Sequence, residues 1–391
     1  MSELQDVLRA IEDGRARGER MALATVVGVT GSTYRREGAR LLVPAEGRPV
    51  GTISGGCLEG EVREAAVQVM QEGRPKLLHF DLTADDEVVW GWGLGCNGVV
   101  DVFVEPAEGA FESAGAIRRA VEDQRDLVTV TVIATGGDSA TSVADGDGSF
   151  PRPGARILVR PDGATEGSLG QAGLDRAAAG EALKALRDDR SRMVSLPGGI
   201  EAFVEVLRPP IRLLVCGAGH DAVPLVRFGS MLGWRVEVID DRDPFLKPRR
   251  FPEASRLIRS EPTDAAGEAG ADDRSYVVVM SHNFLRDKDY LRSFLGSPAA
   301  YIGMLGPNAR FERLLDALGR EGFEPDPLRL EAVHGPAGLD IGAEGPEEVA
   351  WAIVAEVLAV RNGRTGGFLK GRTGPIHERE APRRSVTAGG P

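Results

Sequence analysis

The stretch IRLLVCGAGHDA, Ile211–Ala222, constrains this chain more than any other: an apolar run enters G-x-G-x-x-A and continues into a helix-forming segment. Gly217 permits a tight turn, Gly219 lets backbone approach a pyrophosphate, and Ala222 allows close packing of helix on sheet. The helix N-terminus adds free N–H groups and a positive dipole end. A second apolar run, RVEVID, ends in Asp240, 240 − 217 = 23 residues after the first glycine, about where a ribose-binding carboxylate is expected. Strand, glycines, helix, strand and acid in register predict a Rossmann-like, doubly wound parallel sheet over residues 211–362. A glycine turn used only for packing would leave the same fold without a nucleotide.

Further strands are expected at SYVVVM (Ser275–Met280) and AAYIGMLG (Ala300–Gly306), and a closing helix at Pro346–Val360. Ligands of open parallel sheets bind at the carboxyl ends of the strands. That rule collects His220, His282, Asp287, Gly303 and Gly306 as one candidate crevice. His282 follows a buried strand directly, where a histidine can transfer a proton, orient a ligand or bond a neighbouring loop.

Residues 1–208 read differently. A helix near Leu4–Gly14 precedes strands at Met21–Val29, Gly38–Val43, Leu77–Leu82 and Gly98–Glu105, with a strand, Gly-Gly turn and helix over Gly51–Met70. GARILV (Gly154–Val159) echoes GARLLV (Gly38–Val43) at an offset of 154 − 38 = 116, and GIEAFVE (Gly199–Glu205) echoes VVDVFVE (Val99–Glu105) at 205 − 105 = 100. An α/β domain with an internally duplicated strand-rich unit follows, with repeats at 1–107 and 126–208. The second copy has lost 116 − 100 = 16 residues between the echoes. It has no counterpart of WGWGLGCNG (Trp90–Gly98), and SGGC (Ser54–Cys57) becomes GQAG (Gly170–Gly173).

The elaborated first copy is therefore where a site is expected, on the loops Ser54, Gly55, Gly56, Cys57 and Gly93, Gly95, Cys96. Successive N–H groups in such turns form anion-binding nests, and a thiolate there suits soft metals or sulfur transfer. Both cysteines could equally be small residues packed against a sheet. The third cysteine, Cys216, lies in the fingerprint strand, and with no C-x-x-C pair a structural zinc site is not expected.

Net charge is −12, which offers no basic surface for nucleic acid. No apolar run reaches the roughly 20 residues that span a bilayer, and the acidic amphipathic N-terminus is unlike a secretory signal. A cytoplasmic protein without membrane or nucleic-acid partners is expected. Residues 363–391, rich in Gly, Arg and Pro, read as a flexible tail.

These segments resemble the XdhC/CoxI family, maturation factors for molybdenum hydroxylases such as xanthine dehydrogenase. The resemblance rests on TGSTYRREGARLLV (Thr30–Val43), GTISGGCLEGEV (Gly51–Val62), GLGCNGVVDVFVEP (Gly93–Pro106), CGAGH (Cys216–His220), VIDDR (Val238–Arg242), SHNFLRD (Ser281–Asp287), YIGMLG (Tyr301–Gly306) and GLDIGAEGPEEVA (Gly338–Ala350). It implies a chaperone more than an enzyme: a homodimer that binds the molybdenum cofactor (molybdopterin), a pterin dithiolene with a phosphate tail. Such a factor protects the cofactor, assists its sulfuration with a cysteine desulfurase, and delivers it to a molybdenum hydroxylase subunit. Cys57 and Cys96 would contact molybdenum or its sulfur, with the glycine loops holding phosphate or pterin. Pro307, Asn308 and Phe284 stand where the family often carries Ser-Arg and a second histidine, which removes polar groups from the crevice. Two further functions fit the residues. One is an NAD(P)-dependent oxidoreductase with His282 and Asp287 as its acid–base pair; the other is a protein-docking module with a vestigial dinucleotide fold.

Overall fold

The computed structural model describes residues 3–82, 97–136 and 151–371. The chain divides into two compact units, parted between Pro209 and Pro210.

The N-terminal unit runs α1 (Glu3–Ala16), β1 (Met21–Ser32), β2 (Arg40–Pro44), β3 (Val50–Gly51), α2 (Glu59–Glu72), β4 (Lys76–Asp81) and β5 (Asn97–Pro106), and then the same sequence of elements again. The second run is α3 (Ala107–Glu122), β6 (Leu127–Thr135), β7 (Arg156–Val159), β8 (Thr165–Ser168), α4 (Ala172–Asp188), β9 (Arg192–Leu196) and β10 (Ile200–Leu207). Each run forms one antiparallel sheet with matching strand order, β3-β2-β1-β5-β4 and β8-β7-β6-β10-β9. The second run opens with α3, upstream of residue 126 where the second repeat is expected to begin.

The two runs agree in detail. Gly51 and Gly167 have φ of +90° and +86°, and a Cβ on either would stand 2.3 or 2.6 Å from the carbonyl oxygen of Arg40 or Arg156. Only glycine tolerates both the backbone and the close approach. Each long central strand carries a β-bulge, which leaves Val27 and Ile133 unpaired, and these two are buried together with Phe103 and Phe203. Two ion pairs cross between the runs. Arg40 of β2 pairs with Glu205 of β10, and Arg156 of β7 with Glu105 of β5, each at 2.5 Å and both mostly shielded from solvent.

The C-terminal unit contains β11 (Arg212–Cys216), α5 (Ala222–Met231), β12 (Arg235–Asp240), β13 (Arg256–Arg259), α6 (Ala265–Ala269), β14 (Ser275–Val279), α7 (Phe284–Leu295), β15 (Tyr301–Met304), α8 (Asn308–Arg320), α9 (Pro327–Leu330), β16 (Val333–His334) and α10 (Pro346–Arg361). All strands are parallel, in the order β13-β12-β11-β14-β15-β16. Side chains of β11 alternate across the sheet. Leu213 and Val215 enter the core shared with α5 and α10, while Leu214 and Cys216 enter the one shared with α6, α7 and α8. Burial on both faces explains why the fingerprint strand is apolar throughout. Strand order reverses between β11 and β14, and the crevice at their carboxyl ends is the place this topology provides for a ligand. No helix among the described residues is long and apolar enough to cross a membrane.

Candidate functional site

The loop joining β3 to α2 is latched from beneath. Ser54 is buried, and its hydroxyl bonds the Glu59 carboxylate while accepting the N–H groups of Gly56 (3.0 Å) and Leu58 (3.2 Å). The Ser54 N–H donates to Glu59 Oε1 at 3.0 Å, and the Thr52 hydroxyl lies 3.1 Å from the same oxygen. Burial works against the ionised form of Glu59, yet bonds from the Ser54 hydroxyl, the loop N–H groups and Thr52 hold its carboxyl below the usual range. Glu59 is thus committed to the latch. Gly55 and Gly56 are left exposed, Gly56 at φ +113°, and Cys57 is half-buried on the outer turn, one side against the core of α2 and the sheet. Ser54 therefore builds the loop, and Gly55, Gly56 and Cys57 form the surface that a ligand would meet.

A second brace comes from α1. Glu3 Oε1 accepts the Thr52 N–H at 2.8 Å, and Glu3 Oε2 pairs with Arg35 of the loop after β1. One carboxylate holds two loops together. Sequence reasoning missed the roles of Glu3, Thr52 and Glu59, because each acts on a turn whose shape appears only on folding, although Thr52 and Glu59 lie within the Gly51–Val62 segment that carries the resemblance.

The second run has a carboxylate latch of its own without the thiol: at the offset of 116, Asp175 stands for Glu59 and Ser168 for Thr52, while Gly170 stands for Ser54. Ser168 Oγ bonds Asp175 at 2.8 Å, the Leu169 N–H donates to Asp175 at 2.7 Å, and the Gly170 N–H donates to Ser168 Oγ at 3.0 Å. The place of Cys57 is taken by Gly173. Gly93, Gly95 and Cys96 lie outside the described residues. Among the described residues no group of three or more His, Cys, Asp or Glu side chains is placed to hold a metal ion.

In the C-terminal unit Gly217 has φ +110°, and a Cβ there would lie 2.7 Å from the backbone of Ser281. The turn is as tight as the fingerprint requires. Asp240, in contrast, is fully committed. It is 1 % exposed; Oδ2 accepts the Ala218 N–H (2.7 Å), Oδ1 accepts the Arg242 N–H (2.9 Å), and the Arg242 guanidinium grips both oxygens at 2.8 and 2.7 Å. Burial pushes its pKa up, but these charge-assisted and backbone bonds outweigh it and hold the carboxyl below the ordinary range. Asp240, the expected ribose acceptor, braces the glycine turn against the loop after β12. Arg250 completes that brace, donating to the carbonyls of Ala218 (2.8 Å) and Gly219 (3.1 Å).

His282 and Asp287, the expected acid–base pair, bond different partners. His282, at a left-handed φ of +58°, directs Nε2 across the crevice to Asp221 at 2.5 Å. Asp287 is buried; it accepts the Ser281 N–H (3.2 Å) and hydroxyl (2.5 Å) and the Arg310 guanidinium (2.7 Å). It shapes the strand end that presents His282 and does not touch the imidazole. Asp221 also crowds the glycine turn, its Oδ1 lying 2.6 Å from where a Gly219 Cβ would be. His220 is exposed on the same turn. Gly306, at φ +115°, stands at the end of β15 against Arg310, whereas Gly303 is buried within β15 and makes room for the Tyr301 ring. Gly303 serves packing. Cys216 is buried beneath the crevice, and burial, followed by the nearby charges of Asp287 and Asp240, pushes its thiol well above the usual range.

Comparison with known proteins places both units. The family described as XdhC and CoxI matches residues 14–81 and 120–197, one segment in each run of the N-terminal unit. The XdhC Rossmann domain matches residues 213–357. A probable xanthine dehydrogenase subunit of Bacillus subtilis (strain 168) is 31% identical over 349 residues, covering 88% of this chain and 94% of its own. The chain belongs to the XdhC and CoxI family. A second relative, the molybdenum cofactor insertion chaperone PaoD of Escherichia coli (strain K12), is 21% identical over 362 residues, covering 91% of this chain and 88% of its own. The crystal structure of a xanthine dehydrogenase from Bacillus halodurans superposes with a TM-score of 0.74 at 27% identity, covering 93% of this chain and 97% of that one. Of the departures noted from the family pattern, Phe284 begins α7 with the guanidinium groups of Arg310 and Arg313 over its ring, and Pro307 and Asn308 form the start of α8.

Proposed function

We propose that this chain is an accessory factor that binds the molybdenum cofactor, protects it, assists acquisition of its sulfido ligand and hands it to a xanthine dehydrogenase-like molybdenum hydroxylase. The observation that carries this is the asymmetry of two loops at matching places in the fold: both are latched by a carboxylate, and only the first presents a cysteine on an exposed glycine turn. A scaffold kept twice and armed once supports Cys57 as the seat of the chemistry. Membership of the family and the likeness to a cofactor insertion chaperone support the same direction.

The donor set fits such a cargo. A single soft thiol suits a metal that brings its own sulfur ligands, and the bare backbone of Gly55 and Gly56 allows close approach of a bulky group. When bound, the cofactor supplies the metal and dithiolene chemistry. Cys57 would hold the metal or its sulfur, and the Ser54–Glu59 latch would keep the turn rigid. On this reading the partners are the apo-hydroxylase and a cysteine desulfurase as sulfur donor.

The test mixes purified full-length protein with cofactor released from a molybdenum enzyme, followed by gel filtration and assays of molybdenum and pterin. Near-stoichiometric retention is expected for wild type, with clear loss in Cys57→Ala. If wild type retains neither molybdenum nor pterin, the proposal fails; if Cys57→Ala and Cys96→Ala both retain as much as wild type, the cysteines leave the mechanism.

A further inference from the structure

Tyr34 stands in the loop between β1 and β2 with 66 % of its surface exposed. An aromatic ring held in water contributes little to folding, since its apolar area is not removed from solvent. Its position is nevertheless defined. A Cβ on Gly55 would lie 3.9 Å from Cγ and Cδ2 of the ring, so the ring rests beside the turn that carries Cys57.

The loop that carries Tyr34 is fastened to that turn by the Glu3 brace, which joins Arg35 to the Thr52 N–H. Within the Tyr34 loop, the Thr33 hydroxyl donates to the Arg35 carbonyl at 2.7 Å. At the offset of 116 residues the positions of Arg35 and Cys57 become Pro151 and Gly173, so the brace and the thiol are absent together from the second run. An exposed ring, positioned by a dedicated brace next to the thiol turn, has the form of a binding platform.

We propose that Tyr34 is the stacking platform for a planar heteroaromatic ring brought to the Cys57 turn, which, resting on the function proposed above, is the pterin of the cofactor. A π-face accepts any flat heteroaromatic in offset stacking, while the thiol addresses the soft metal at the other end of the ligand. Tyr34 and Cys57 then recognise different parts of one molecule.

The experiment measures binding to the full chain of two probes, the cofactor released from a molybdenum enzyme by retention, and a metal-free oxidised pterin by quenching of its fluorescence. Tyr34→Ala is expected to weaken the cofactor about tenfold and to abolish quenching of the metal-free pterin. Tyr34→Phe and Tyr34→Trp should stay within about threefold of wild type, and Cys57→Ala should weaken the cofactor while leaving metal-free pterin unchanged. Because Tyr34 is exposed, an unchanged melting temperature verifies that each variant is folded. Full retention and quenching in Tyr34→Ala would overturn the platform and leave the carrier function standing. A Tyr34→Phe variant as weak as Tyr34→Ala would also overturn it, because the hydroxyl and not the ring would then be responsible. Failure of wild type to retain the cofactor would remove the carrier function and the platform with it.

Discussion

Glu105→Ala tests the energetic core of the N-terminal unit. Glu105 has 2% of its side chain exposed and faces Arg156, which has 15% exposed. Besides Glu105, the Arg156 guanidinium reaches neutral acceptors: Thr131 Oγ1 at 2.8 Å, the Gly109 carbonyl at 3.2 Å and Ser113 Oγ at 3.3 Å. Removing the carboxylate leaves a mostly desolvated cation without its counter-charge, which costs about 3–5 kcal/mol. For a unit of this size each kcal/mol moves the midpoint by roughly 2–4 °C, so the N-terminal transition should fall by roughly 6–20 °C. Calorimetry resolves this if the two units melt separately. The double variant Glu105→Leu/Arg156→Met should recover much of the loss, because a packed apolar pair of similar volume is often as stable as a buried ion pair. Glu205→Ala should repeat the result through Arg40, whose guanidinium also donates to the neutral Gly38 carbonyl at 2.9 Å. A loss below about 1 kcal/mol in Glu105→Ala would mean that the pair is screened like a surface bridge, and the reasoning would be refuted.

Three further outcomes follow from the C-terminal unit. Asp240 has a depressed folded pKa, so its share of stability is present above the unfolded carboxylate value of about 3.9 and is lost as pH falls through the folded value. Asp240→Asn should flatten the stability profile of this unit below about pH 4, and an unchanged acid slope would count against the Arg242 brace. Gly217→Ala forces a Cβ to 2.7 Å from the Ser281 backbone at φ +110° and should cost at least about 2 kcal/mol in thermal unfolding; a variant as stable as wild type would show that the turn can open. With both Asp240 oxygens occupied, calorimetric titration with NAD(H) should show no binding tighter than about 1 mM, and micromolar binding would show that the brace yields to a ribose.

The parallel sheet was legible because its determinants are local. An apolar strand, a glycine turn and an acid at the right distance are one contiguous string, and Arg212–Cys216 and Arg235–Asp240 form strands close to the expected positions. Strands β13 and β16 carry too little signal to be read, because four residues with a single one buried, and two half-buried residues, show no alternation. Helix α3 escaped because the echoes between the copies lie in strands. In the N-terminal unit the exposed thiol turn could be anticipated from glycines beside a cysteine. The inward role of Ser54 could not, since it depends on where the Glu59 carboxylate points.

The amino-acid sequence by itself determined which segments become strands and helices, that the N-terminal half uses one pattern twice, and which copy bears the cysteines. Those properties follow from side-chain periodicity and from glycines that no other residue can replace. Only the tertiary structure decided who bonds whom. It paired His282 with Asp221, 61 residues away, in place of Asp287, five residues along the chain; it gave Asp240 to Arg242; and it joined Glu3 to Thr52 across 49 residues. A buried carboxylate takes whichever donors folding brings within about 3 Å, because leaving it unpaired costs more than any local preference supplies. That choice is made by packing in space, where separation along the chain carries no weight.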